Sequence, residues 1–137
     1  MSSPQLERLK RRMNAIPPAV REAVTPALVK SGEELVARQR ALVPVNTGAL
    51  HDSIEMTPPG GTTPPYSQPG GSTTAGPNQV LVTAGNEDVR YPHLVEYGVA
   101  HAPAQPFFWP AFRLSRKRIA NRIKRAIGKA VREGWTA

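Results

Sequence analysis

Gln79-Val80-Leu81-Val82-Thr83-Ala84 is the clearest strand pattern in this chain, and it sets the fold class. β-Branched residues and leucine fill it, and Gly85-Asn86 supplies a turn directly behind it. Upstream, Leu50–Met56 reads as a partner strand with Leu50, Ser53 and Ile54 near its inner face. Downstream, His93–Tyr97 reads as a third, with Leu94 and Glu96 on one side and His93, Val95 and Tyr97 on the other. Residues 57–78, between the first two, hold six prolines, five glycines, seven Ser/Thr and no charged side chain. That composition lacks the apolar area for a core and predicts a flexible loop or arm.

Helical periods flank this centre. Leu6, Leu9, Met13 and Ile16 recur at helical spacing behind Ser3 and Pro4, and Pro17-Pro18 ends the pattern, giving residues 1–17 as an N-terminal helical extension. A longer helix covers roughly Pro18 to Leu42, with Val20, Val24, Leu28, Ser31, Leu35 and Leu42 on one stripe. Pro26 interrupts it, and Thr25-Pro26 as cap and first residue predicts a later start. Pro103–Pro110 should pin the start of a basic C-terminal helix over 110–132, whose stripe is Phe112, Ile119, Ile123, Ile127, Ala130 and Val131. The expected architecture is one α+β domain over 1–137: a long N-terminal helix, a small antiparallel sheet of about three strands, and the basic helix packed on the sheet.

Composition bounds the chemistry. With no cysteine in 137 residues, disulfide scaffolds and thiolate metal sites are excluded. The charged N-terminus has no apolar run behind it and no segment is long enough to span a bilayer, so a soluble protein made inside the cell is expected, without a membrane role. The formal charge of +8 is unevenly distributed: residues 1–40 carry +4, residues 41–112 carry −4, and residues 113–137 carry +8. Such sorting points to a partner surface or a polyanion.

Catalytic patterns are weak. His51-Asp52-Ser53 has the residue types of a nucleophilic triad, but neighbours on a strand face opposite ways. His93, Glu96 and His101 lack the spacing of a metal site, and the Gly-Gly pairs at 60–61 and 70–71 lack the context of a phosphate loop. No catalytic residue, cofactor or metal is therefore implied. Glu96, an acid among apolar neighbours, calls for a specific partner, and an arginine on a helix or a neighbouring subunit would serve. The strongest signal is the helix bearing Arg113, Arg116, Lys117, Arg118, Arg122, Lys124, Arg125, Lys129 and Arg132, a candidate interface or polyanion contact.

Three short patterns occur in a telling order. They are Val43-Pro-Val-Asn-Thr-Gly-Ala-Leu-His-Asp-Ser-Ile54, then Tyr91-Pro-His-Leu-Val-Glu-Tyr-Gly98, then Ala104-Gln-Pro-Phe-Phe-Trp-Pro-Ala111. Together they resemble the tail-component family of long-tailed bacteriophages, which includes neck, head–tail joining and tail-completion proteins. Pro44, Thr47, Gly48, Leu50 and Ser53 carry the first match, Glu96 and Gly98 the second, and Pro106, Phe107, Pro110 and Ala111 the third. Val99 stands where that family usually has Thr, and the 57–78 loop is longer and richer in Pro and Gly than usual. The resemblance implies a non-enzymatic virion subunit, assembled in the bacterial cytoplasm into a ring (a hexamer) at the head–tail junction of a phage or gene transfer agent. Its implied partners are further copies, head-connector and tail-tube proteins, and DNA passing through the lumen without sequence-specific binding. A DNA-binding module using the basic helix is the alternative.

Overall fold

The computed structural model describes residues 4–8, 18–44, 48–100 and 102–134. Residues 4–8 are helical, while 9–17, Thr47 and His101 lie outside the described residues. Helix α1 spans Pro18–Leu42 and α2 spans Ala49–Ser53. Strands β1 (Glu55–Thr57) and β2 (Leu81–Thr83) pair antiparallel, Glu55 opposite Thr83 and Thr57 opposite Leu81. Two helices follow, α3 over Pro92–Tyr97 and α4 over Phe108–Gly134.

The α+β expectation holds, with four corrections to its parts. Helix α1 runs unbroken through Pro26 instead of starting there. Proline cannot donate to the carbonyl four residues back, and Pro26 and Glu22 both lie on the exposed side of the helix. Leu50–Met56 is a strand only at its end. Leu50, Ser53 and Ile54 stand at i, i+3 and i+4, a helical spacing, and the Asp52 amide closes a turn on the Gly48 carbonyl at 2.9 Å. Gly48 opens that turn at φ 83°, a backbone setting only glycine adopts cheaply.

The third correction concerns His93–Tyr97, which is helix α3, so the sheet of the described residues has two strands and not three. Pro92 presets the first helical φ, and the Leu94 and Gly98 amides bond to the Tyr91 and Leu94 carbonyls. Alternation over five residues could not separate the two states. Fourth, α4 packs along α1, not on the sheet. A strand of three residues spans about 10 Å, whereas a helix of 27 residues runs about 40 Å, and only α1 is long enough to cover it.

α1 and α4 run antiparallel. Gln39 Nε2 donates to the Phe108 carbonyl at 3.4 Å, and Arg122 reaches Ser31 and Glu34 farther along. The sheet lies against α1 at Gly32, where an added Cβ would sit 2.6 Å from Met56 Cγ and 2.8 Å from Val80 Cγ1. The core gathers Val36, Val43, Leu50, Ile54, Ala84, Val89, Phe107 and Phe108, with Met56, Val82 and Val95 packed against it. Residues 57–78 fold back on themselves. Thr62 bridges Thr74, Gln68 exchanges both backbone hydrogen bonds with Ala84, and Thr63 and Ser67 hydroxyls donate to the Gly71 carbonyl. Thr63, Ser67 and Ala75 are buried.

Glu34 is the electrostatic joint between the long helices. Its carboxylate meets Arg122, Arg118 (3.2 Å) and Arg38 (3.8 Å). The hydrogen bond from Arg122 holds it below the ordinary carboxylate pKa, reinforced by the charges of Arg122, Arg118 and Arg38 and opposed by burial. A carboxylate that binds its proton more weakly folded than unfolded stabilises the fold above its unfolded pKa. That stability is lost as pH falls through the folded value. Thermal midpoints should therefore drop on acidification below about pH 4.5, and Glu34→Gln should flatten that acid limb. An unchanged limb in the Gln variant would overturn the assignment.

Candidate functional site

The second and third sequence patterns turn out to be halves of one device. A helix begins with four backbone N–H groups that lack intrahelical acceptors. At the start of α4, Glu96 Oε2 accepts from the Phe107 amide (2.8 Å) and the Phe108 amide (3.0 Å), while Oε1 accepts from Trp109 (3.1 Å). The fourth position is Pro110, which has no N–H to satisfy. Glu96 is only 7 % exposed, so its charge is balanced by three amides and the positive end of the helix dipole. The arginine partner expected from sequence is replaced by a helix terminus, whose three amides donate charge-assisted hydrogen bonds to the carboxylate.

The segment joining the halves is equally fixed. Gly98 turns at φ 80°, with an added Cβ placed 2.7 Å from the Ala104 nitrogen, so the chain folds tightly on itself there. Val99 bridges Ala102, and the Gln105 amide bonds to the Val95 carbonyl at 2.8 Å. Phe107 is fully buried, as is Ala111 one turn later. The first pattern ties in through Ser53, whose buried hydroxyl donates to the Leu50 carbonyl (2.7 Å) and accepts from the Gly85 amide (3.0 Å). Leu50, Ser53, Glu96, Phe107 and Ala111 thus support a platform from within. Pro44, Gly48, Gly98 and Pro110 are half-buried around it, and Pro106 is exposed.

Beside this platform opens a cleft of about 530 Å³. Tyr66 to Gly71 form one wall and α3 the other, with Trp109 among its lining and Ala84, Phe107 and Phe108 beneath. The Arg90 guanidinium stacks 3.7 Å above the Tyr66 ring, Gln68 Nε2 and His93 Nδ1 lie 2.8 Å apart, and Trp109 Nε1 donates to the Tyr97 hydroxyl at 2.9 Å. Trp109 packs edge-on against Phe108 and Phe112, with ring centroids 5.0 and 6.2 Å away. Composition reasoning missed the cleft, since its walls come from residues distant in sequence. Tyr66, alone among the prolines and glycines of its loop, was the available signal.

The pattern His51-Asp52-Ser53 lies in α2 and not on a strand. His51 Nδ1 sits 3.0 Å from Asp52 Oδ1, while the Ser53 hydroxyl is buried against backbone groups. Ser53 therefore faces no ring that would activate it. Among the described residues, no three His, Asp or Glu side chains gather as a metal-ligand group. The basic helix divides. Arg113, Arg116, Lys117, Arg118, Lys124, Arg125, Lys129 and Arg132 are exposed, but Arg122 is 13 % exposed and spent on Glu34 and Ser31. Within the chain, Arg122 and Arg118 both engage the interhelical carboxylate of Glu34, Arg122 from a half-buried position and Arg118 from an exposed one. No helix among the described residues is long and apolar enough to cross a membrane.

The fold is thus a small α+β platform carrying exposed aromatic and basic surfaces. Residues 7–98 match the family described as "Bacteriophage HK97-gp10, putative tail-component". This is well over half of the chain, and the chain belongs to that family of phage tail components, which is not an enzyme family. No curated protein and no solved structure matches it. The match ends at Gly98, whereas the device it enters, the Glu96 cap, is completed by Phe107–Pro110.

Proposed function

We propose that this chain is a structural subunit of a phage or gene transfer agent particle. It assembles as a ring, hexameric by its family resemblance, at the head–tail junction. There it joins head connector to tail tube, completes the tail, and leaves a lumen through which DNA passes without sequence-specific contacts. The observation that carries this reading is the apolar rim around the Glu96 platform. Tyr97 is 70 % exposed, Val99 46 % and Leu94 44 %. Large apolar side chains held out to water from a rigid support mark a protein–protein contact. Family membership as a tail component supports the same role.

The alternative, a DNA-binding module, draws on the exposed cations of α4. Mass in solution and affinity for duplex DNA at two salt concentrations separate the two. The ring reading expects a closed oligomer and an electron-microscopy position between head and tail. A monomer whose DNA affinity falls by orders of magnitude between about 50 and 200 mM salt would instead favour the module.

A further inference from the structure

The sorted charge of the sequence becomes a spatial separation in the fold. One outward face of α4 presents Lys117, Arg118, Asn121, Lys124 and Arg125 around the exposed Leu114, forming a shallow open groove. Among the described residues, Lys117, Lys124 and Arg125 meet no carboxylate. The complementary charge lies elsewhere. Glu55 sits opposite Thr83, and the Gly85 amide bonds Ser53, so Asp52 and Glu55 neighbour the turn that holds Glu87 and Asp88. All four carboxylates are exposed, and among the described residues those of Glu55, Glu87 and Asp88 form no ion pair with lysine or arginine, although Arg90 Nε donates to the Glu87 backbone carbonyl at 2.8 Å.

This acidic edge adjoins the core end of the molecule, where Ile54, Ala84, Val89 and Phe108 meet. Lys124 is sixteen residues farther along α4 than Phe108, about 24 Å at the helical rise. Within one subunit, among the described residues, no ion pair joins the two surfaces. A ring can join them, because it closes through heterologous contacts in which two different faces of the same chain meet.

We propose that the Lys117–Lys124–Arg125 face of α4 in one copy docks on the Asp52–Glu55–Glu87–Asp88 edge of the next copy. The inference rests on the ring reading above and names its interface. Leu114 lies within the contact as its apolar anchor, and the charges around it fix direction and register. The arrangement makes assembly salt-sensitive, since these groups stay near solvent.

Two full-length variants test it. Variant one carries Lys117→Glu and Lys124→Glu, and variant two carries Glu87→Lys and Asp88→Lys. Each alone opposes like charges at every contact, while a one-to-one mixture pairs unlike charges at every contact. The expected result is at least a tenfold loss of assembly for each variant alone and recovery in the mixture, read by mass in solution. Circular dichroism checks that both variants are folded. If either variant alone forms rings as readily as the parent chain, the pairing is wrong and the ring reading stands. If the parent chain stays monomeric to about millimolar concentration and binds duplex DNA with steep salt dependence, the α4 face is a nucleic-acid grip and both fall.

Discussion

Replacing Glu96 by alanine should lower the stability of the fold by about 3 kcal/mol, as no other exchange of a charged residue is expected to do. The carboxylate accepts all three N–H groups at the start of α4, and its loss strands the Phe107 and Phe108 amides in a buried setting. An unsatisfied buried donor costs roughly 1–3 kcal/mol, and an ordinary cap contributes roughly 1. Of a total stability near 5–15 kcal/mol, that is a large share. The melting temperature of a domain this size should fall by about 10 °C. Glu96→Gln keeps one acceptor oxygen but turns an amide group toward N–H donors, so it should recover only part of the loss. Faster hydrogen exchange at Phe107, Phe108 and Trp109 in both variants would place the damage at the cap. An alanine variant melting within about 2 °C of the parent would show that water replaces the carboxylate there.

How far the sequence disclosed this site depends on range. The long helices were legible because their apolar stripes repeat over many turns, and β2 because three β-branched or leucine residues run together. Short segments were not. Leu50–Met56 and His93–Tyr97 each hold too few residues for a period to declare itself, and Pro92 and Gly48 outweighed their apparent alternation. Glu96 was legible as an acid in need of a partner, but its partner was not. Helix-start amides leave no mark on the residue types of Phe107–Trp109, and only Pro110 hints that a terminus lies there. Arg122 shows the converse limit. In sequence it is one cation of nine, and only the approach of α1 sets it apart. The composition of 57–78, poor in apolar residues and free of charge, pointed only to a flexible loop or arm. It could not tell that Thr63, Ser67 and Gln68 would bind its backbone to itself and to Ala84.

Phe107→Ala should cost about 3–5 kcal/mol, the usual range for emptying a core phenylalanine site. The side chain is fully buried among Ile54, Ala84, Val89 and Phe108, where the sheet, the α2 turn and the start of α4 converge. Tyr97→Ala, truncating a ring that is 70 % exposed, should change stability by no more than about 0.5 kcal/mol while weakening assembly, if the rim is a contact surface. The pair of variants therefore separates support from contact. Phe107 also shares the Glu96 cap through its own amide, so the two positions cannot act independently. Once the cap is lost, the first turn of α4 frays and part of the ring's packing goes with it. A cycle of the milder exchanges Phe107→Leu and Glu96→Gln, followed by chemical unfolding, should show a double variant less destabilised than the sum of the singles, by at least about 0.5 kcal/mol. Strict additivity would mean that the buried ring holds its place without the cap, and that the two sequence patterns are neighbours without being one device.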